Sequence, residues 1–297
     1  MLGRVANIVG DRSSGKTLLA IEACANFKRA YPKGVVRYVE AESAFDEDYA
    51  EAVGMPSSKV KFATDIETVE KMFADLNDTM DDLPDGTPCL YIIDSLDSLS
   101  DEKEMQRKLE DDAFGVAKAK KISEGFRKVI RRIAEKQVLL LVISQLRDNI
   151  GAMFGAKTKR SGGRALDFYC SHILWLAEIG KEKRTIGGVM RTTGIKVKAS
   201  CKKNKVGMAH RECEFPIVFG YGIDDVTAGV EFLVSTKRTE ALDAMRMTAK
   251  GYGAALSRLR DQGPEAMQPV RESVNAAVEE AWRGIELAFL PKAGKYG

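Results

Sequence analysis

Cysteine is scarce in this 297-residue chain and histidine scarcer: there are five cysteines, Cys24, Cys89, Cys170, Cys201 and Cys213, never in a C-x-x-C pair, and two histidines, His172 and His210. An odd, scattered set excludes a disulfide framework and a Cys/His zinc site. It leaves most of the thiols as small buried hydrophobes and places the chain in a reducing cytoplasm. Long apolar runs are missing too. The longest, Val138 to Ile143, is six residues, against the ~20 needed to span a bilayer. The first residues lack a basic start followed by an apolar stretch, so neither export nor membrane insertion is expected. Charge of one sign is also lacking, with 46 basic against 43 acidic residues and a net of +3. A balance this even says nothing for nucleic-acid binding by itself, and any such reading must rest on local clustering. What is present is the composition of a globular protein, 44% apolar and 30% charged, long enough for two domains.

The patterning along the chain alternates between two periods. Residues 5–9 (VANIV), 35–39 (VVRYV), 60–63, 90–93 (LYII) and 138–143 (VLLLVI) read as short strands. The last two are apolar throughout, as strands covered on both faces must be. Between them, residues 16–30, 48–52, 65–83 and 113–136 read as helices. Thr64 and Glu67 have capping-box spacing at the start of the third, and Ile66, Val69, Met72, Phe73 and Leu76 recur at three and four residues. This alternation predicts an α/β fold with a mostly parallel central sheet and right-handed crossovers. From His172 the character changes. Residues 173–176, 195–199 and 215–219 are strand candidates with no long helix between them, expected to extend the sheet edge as antiparallel neighbours. After about Val226 the chain reads as helical, with Gly263-Pro264 dividing two amphipathic segments. The expected division is a core over residues 1–225 and a small helical region over 226–297.

Gly10-Asp11-Arg12-Ser13-Ser14-Gly15-Lys16-Thr17 fits G-x-x-x-x-G-K-[ST] between a predicted strand and a predicted helix, the context the phosphate loop needs. Its glycines let backbone N–H groups point at a β-phosphate, with the helix dipole behind them. Lys16 would meet the β- and γ-phosphates and the Thr17 hydroxyl would ligate Mg²⁺. The ion also needs a carboxylate at the end of a neighbouring strand, and Asp94, directly after residues 90–93, is placed for it; the alternative is that Asp94 only caps a following helix. Glu40 and Glu42 both lie just past the second strand, on the carboxyl edge where open α/β sheets bind ligands. Either could orient or deprotonate an attacking water, and spacing alone does not choose between them.

With these residues on the page the chain resembles the bacterial RecA recombinases. The likeness is carried by GDRSSGKT (10–17), YVEAESAFDEDYA (38–50), YIIDSLDSL (91–99), ISQLRDNIGAMFG (143–155), SGGRALDFYCS (161–171) and KKNKVG with EFPIVFGYGI (202–223), in the family's order. The resemblance implies a RecA-like P-loop ATPase core that hydrolyses ATP with Mg²⁺ in the presence of DNA, pairs homologous strands and assembles as a helical homo-oligomeric filament on single-stranded DNA, with duplex DNA as a second partner. It implies that Glu42 is the base activating water, that Asp46 and Tyr49 meet the adenine, and that Gln145 senses the γ-phosphate and leads into a DNA-binding loop. It further implies that Lys203 and Lys205 reach a neighbour's ATP, that Phe168 is an interface aromatic, and that Ser123 and Arg127 contact DNA, with Lys118, Lys120 and Lys121 adding charge nearby. A first DNA loop falls at about 107–117.

The segment from Arg147 to Arg164 supports DNA binding on its own chemistry. Gly151, Gly155, Gly162 and Gly163 deny it regular structure, Met153 and Phe154 could insert between bases, and Lys157, Lys159, Arg160 and Arg164 could meet phosphates. Departures from the family are equally visible. Its leading polymerisation arm is expected to be absent, because the phosphate loop begins at residue 10, and Asp167 stands where the family carries a basic interface residue. This suggests a phage-encoded relative. An ATP-regulated strand-annealing or mediator protein is therefore the alternative to a strand-exchange recombinase, and a hexameric helicase a weaker one.

Overall fold

A computed structural model describes residues 1–106, 116–148, 158–160, 163–244 and 247–291. Its first half is the expected alternation: β1 (Arg4–Gly10), α1 (Lys16–Ala30), β2 (Val35–Glu40), α2 (Glu47–Ala52), a 3-10 turn at Ser57–Lys59, β3 (Lys61–Ala63), α3 (Val69–Asp81), β4 (Cys89–Asp94), α4 (Glu102–Gln106), α5 (Val116–Glu135) and β5 (Val138–Asp148). There follow β6 (Thr158–Arg160), α6 (Gly163–Tyr169), β7 (His172–Ile186), β8 (Val189–Asn204), β9 (Glu212–Val218), β10 (Gly222–Ile223) and the helices α7 (Asp225–Ser235), α8 (Glu240–Ala244), α9 (Tyr252–Asp261) and α10 (Pro264–Phe289). The sheet runs β10-β9-β8-β7-β1-β5-β4-β2-β3, with β6 paired to β5 off that path.

β1, β5, β4, β2 and β3 are parallel, and β7 joins the other side of β1 in parallel as well. The predicted antiparallel edge therefore begins only one strand later, at β8. Crossing connections put helices on both faces of such a sheet, and β1 from Val5 and all of β4 are buried accordingly. The register aligns strand ends, setting Gly10 beside Gln145 and Glu40 beside Asp94. Four chemically distinct residues thereby meet at one carboxyl edge. The polar exception inside β1, Asn7, is fully buried and donates from Nδ2 to Val142 O and Ser144 Oγ, both at 2.9 Å, tying β1 to β5 just below that edge.

One face of the sheet is covered by α3 and α5, whose Met72, Phe73, Leu76 and Met80 pack in one cluster with Ile122, Phe126, Val129 and Ile133. Phe73 and Phe126 meet edge-on at 5.5 Å. Burying each such side chain contributes about 1.5–3 kcal/mol, so truncating Phe126 would cost ~3–5 kcal/mol. The helix that was expected to start at residue 65 starts at Val69. Residues 67–69 are drawn instead into an extended bridge with Ser100, whose N–H donates to Glu67 O and whose carbonyl accepts from Val69, both at 2.9 Å. Thr68 rather than Thr64 is the N-cap, its Oγ1 accepting from the Lys71 N–H at 3.2 Å.

Compact packing divides the chain into one unit of residues 1–180, 197–213 and 219–222 and another of residues 181–196, 214–218 and 223–297. The second unit has its own core, built from Val226, Val230, Leu233, Leu242, Met247, Leu256, Met267, Val274 and Ala281. Asp224 caps α7 by accepting from the Thr227 N–H at 3.1 Å and is ion-paired to Arg260, while Arg271 pairs with Asp225 at 3.0 Å. Gly263 precedes Pro264 at the first turn of α10, the position where a missing N–H costs nothing.

Candidate nucleotide-binding site

The loop from Gly10 to Thr17 is closed by close backbone approach. A Cβ on Gly10 would lie 2.5 Å from Ser14 Oγ and 2.8 Å from Leu176 O, so only glycine fits. Gly15 enters α1 in the left-handed region at φ 86°. Ser14 is buried and donates to Asp11 O at 2.9 Å, whereas Asp11, Arg12 and Ser13 are exposed. Lys16 is buried, its Nζ donating to Asp11 O at 2.5 Å. Burial pushes its ammonium pKa down, against the opposing pull of Asp94 and Glu42. A strongly desolvated cation held at a helix N-terminus is arranged to meet an anion.

Thr17 hydrogen-bonds to Asp94, and Tyr38 donates from its hydroxyl to Asp94 Oδ2 at 2.8 Å. Burial raises the Asp94 carboxyl above its ordinary range, while these two hydrogen bonds draw it back. Asp94 caps no helix, for the chain turns directly after it. Among the described residues no group of three His, Cys, Asp or Glu side chains could hold a metal by itself. The pair Thr17 and Asp94 nevertheless suits Mg²⁺, which takes one or two protein oxygens and completes its shell with phosphate and water.

The two glutamates that spacing left undecided do different things. Glu40 is buried, and its Oε1 accepts from the N–H groups of Glu42 and Ala44 at 3.0 and 3.1 Å. It holds the loop. Glu42 is exposed, and its Oε1 accepts from Ser95 Oγ at 2.5 Å and Gln145 Nε2 at 2.6 Å. The structure thus brings Glu42 and Gln145 together across 103 residues of sequence. Three partners were not foreseen: Tyr38, Ser95 and Asp97. Asp97 is buried and its Oδ2 accepts from the Gln145 N–H at 2.7 Å, fixing where that glutamine sits. The only sequence signal was polarity at three close positions, Ser95, Asp97 and Ser98, where the chain leaves an apolar strand.

Other predicted residues lie as follows. Asp46 caps α2, its Oδ1 accepting from the Tyr49 N–H at 2.9 Å, and Tyr49 is half-buried. Ser123 and Arg127 are one turn apart on α5 and share a hydrogen bond of 3.3 Å. Lys118 donates to Asp97 O at 3.3 Å and Lys121 pairs with Glu70 at 3.6 Å. In the segment 147–164, glycine was expected to deny regular structure, yet its two ends are regular. β5 continues through Asp148 and pairs antiparallel with β6, placing Arg147 opposite Lys159 and Leu146 opposite Arg160, and α6 begins at Gly163 with Arg164 in its first turn. The ladder hydrogen bonds of β5 and β6 satisfy backbone that a bare loop would leave to solvent. Met153, Phe154, Lys157 and Gly162 lie outside the described residues, as do residues 107–115 of the expected first DNA loop at about 107–117, whose last two residues open α5. Lys203 donates to the carbonyl of Asp167, and Lys205 donates to Phe168 O at 3.0 Å with its Nζ 5.8 Å from the Phe168 ring centre. Phe168 is 70% exposed. Beside them is a cavity of about 360 Å³ lined by Asp167, Ile173, Trp175, Lys202 and Lys203.

The parallel sheet, the glycine loop at the end of β1 and the carboxylate at the end of β4 define an α/β P-loop protein. The RecA N-terminal domain family matches residues 1–224. Protein RecA of Salinispora arenicola is 31% identical over 296 residues, covering 98% of this chain and 78% of that protein, and Protein RecA of Chloroherpeton thalassium is 29% identical over 288 residues, covering 96% and 77%. A Protein RecA sequence of Paenarthrobacter aurescens is 33% identical over 222 residues, 74% of this chain and 96% of its own length. The chain belongs to the RecA family.

Proposed function

We propose that this chain is an ATP-dependent DNA recombinase of the cytoplasm, which binds single-stranded DNA, assembles on it as a homo-oligomer, pairs it with homologous duplex and hydrolyses ATP. The observation that carries the reading is the meeting of Glu42 and Gln145 at 2.6 Å, at the sheet edge that also holds Lys16, Thr17 and Asp94, in a chain of the RecA family. Residues 1–225 carry the ATPase and DNA-binding chemistry and residues 226–297 form a helical accessory region. Thr17 and Asp94 would hold Mg²⁺, which would supply charge neutralisation at the phosphates. Lys16, already desolvated, supplies a second positive charge there. Glu42 accepts the proton of the attacking water at its carboxylate. Gln145 has two acceptors to choose between, Glu42 Oε1 or a γ-phosphate oxygen. Because Asp97 fixes its backbone N–H, turning its amide to phosphate releases the base without moving the strand end. The same strand end leads through Arg147 toward the basic segment ending at Arg164, which meets DNA phosphates.

Lys16→Ala tests this site. It should abolish ATP hydrolysis and ATP-stimulated ssDNA binding with an unchanged circular dichroism spectrum, and full turnover in the folded variant would refute the assignment. Strand exchange between a circular single strand and homologous duplex, run beside annealing of two complementary single strands, decides recombinase against annealing protein.

A further inference from the structure

β4 and β5 separate at the edge that holds the nucleotide site. Their pairing ends at Ile93 opposite Val142, and beyond Asp94 the chain turns away, with the Leu96 N–H still donating to Ile143 O at 3.0 Å. β5 runs on to Asp148 and exchanges neighbours as it does so. Gln145 is its last residue paired to β1, opposite Gly10, and the next residue, Leu146, is the first paired to β6, opposite Arg160. A strand that outlasts its neighbour turns a backbone N–H toward the space the neighbour has left, and that N–H must find another acceptor. Here the acceptor is a side chain. Asp97 is 7% exposed and extends Oδ2 to the Gln145 N–H at 2.7 Å.

The turn that carries Asp97 grips the site at other points too. Ser95 Oγ donates to Glu42 Oε1, the oxygen that also accepts from Gln145 Nε2, and the Asp97 carbonyl accepts from Lys118 Nζ in the first turn of α5 at 3.3 Å. A buried carboxylate is a costly way to satisfy one N–H, because it must be desolvated and shares its surroundings with two more, Asp94 and Glu42, around Lys16. What it gives in return is strength, since a charged acceptor holds an N–H more firmly than a neutral one. The firm bond is on the Gln145 backbone, and the exchangeable one is on its amide. On one side of this point lies the attacking-water site, and on the other lies the β5–β6 pair with Arg147 opposite Lys159. We propose that Asp97 is a positioning residue for hydrolysis, acting through Gln145: it pins the strand where β5 changes neighbours, so that the glutamine amide meets Glu42 or a γ-phosphate oxygen from one fixed place whatever the state of the β5–β6 pair. The proposal deepens the reading of the chain as a DNA-dependent ATPase and rests on it.

The test is steady-state ATP hydrolysis on ssDNA, with affinity for a fluorescent non-hydrolysed ATP analogue and hydrogen exchange at the Gln145 amide measured alongside. Asp97→Ala should lower kcat about tenfold or more, the worth of one hydrogen bond to a carboxylate expressed as misplacement of the sensor. KM and analogue affinity should stay at wild-type values, because the phosphate loop is untouched. Asp97→Asn keeps an oxygen that accepts the same N–H, so it should recover most of the rate. In the wild type the Gln145 amide should be protected from exchange alike with and without ssDNA, whereas in Asp97→Ala its protection should depend on ssDNA. A Gln145 amide that exchanges freely in the wild type overturns the proposal, and that result needs no variant to fold. So does an unchanged kcat in folded Asp97→Ala. An Asp97→Asn variant as slow as Asp97→Ala, with analogue affinity altered in both, would place Asp97 in the charge balance around Lys16 and overturn the proposal too. Any of these in a wild type that hydrolyses ATP on ssDNA overturns this inference alone. A wild type without DNA-stimulated hydrolysis overturns the functional reading beneath it as well.

Discussion

Exchanging either Glu40 or Glu42 for glutamine should separate folding from catalysis at two positions only two residues apart. Glu40 is 7% exposed and its Oε1 accepts two backbone N–H groups. A hydrogen bond to a charged acceptor contributes about 1.5–3 kcal/mol, against ~0.5–1.5 kcal/mol to a neutral one. Glu40→Gln therefore loses roughly 1 kcal/mol for each bond, or roughly 2 kcal/mol in all, and loosens the loop from Ala41 to Phe45 that presents Glu42. Glu42 is exposed and holds no backbone, and the amide oxygen of a glutamine still accepts from Ser95 and Gln145. Glu42→Gln should leave stability within about 0.5 kcal/mol. What it removes is the proton acceptor, at least ~10² in kcat, with nucleotide affinity retained because ground-state contacts are untouched. Urea titrations and steady-state ATP hydrolysis on ssDNA read the two effects independently. If Glu40→Gln is the slow, stable variant and Glu42→Gln turns over normally, the assignment of the base is wrong.

Two further predictions concern the fold. Thr68→Ala should destabilise the protein by ~1 kcal/mol through loss of the α3 cap, whereas Thr64→Ala should be neutral; equal effects in thermal melts would contradict the observed helix start. Cys24 and Cys89 have thiols pushed up to about 12 by burial, so they are protonated in the folded chain and ionise readily only when it unfolds. Stability is then complete below the ordinary thiol range near pH 9 and falls as pH rises toward 12, by about 1.4 kcal/mol per pH unit for each thiol. Equilibrium unfolding between pH 8 and 11 shows this directly, and a native-state thiol titration should label the exposed Cys213 first and leave Cys24 and Cys89 untouched.

The part of the fold that could be read from residues was the part where burial is two-sided. Residues 90–93 and 138–143 are apolar at every position because β4 and β5 lie in the middle of the sheet, and no tertiary contact contradicts that pattern. The start of α3 was misread because Thr64 and Glu67 satisfy a local rule while Ser100, far along the chain, captures residues 67–69 in a bridge. Local capping chemistry cannot register a competitor that arrives from elsewhere in sequence. The length of β7 and β8 was missed for a different reason. Their outer halves are exposed and mix charged residues with a few apolar ones, so neither alternation nor an apolar run marks them, and the Gly-Gly pair at the turn carries the signal.

The candidate site divides along the same line. Gly10 to Thr17 and Asp94 were legible because backbone geometry demands those residue types at those spacings. Residue spacing left Glu40 and Glu42 open and only the family resemblance favoured Glu42; in the structure it is Glu42 whose Oε1 accepts from Ser95 and Gln145. Lys203 and Lys205, expected to reach a neighbour's ATP, make contacts within the chain itself. Both ammonium groups lie on the last carbonyls of α6, where cations complete a helix terminus whose carbonyls have no intrahelical partner. A lysine that reaches toward a neighbouring subunit must give up that contact, so any cross-subunit role is coupled to the end of α6.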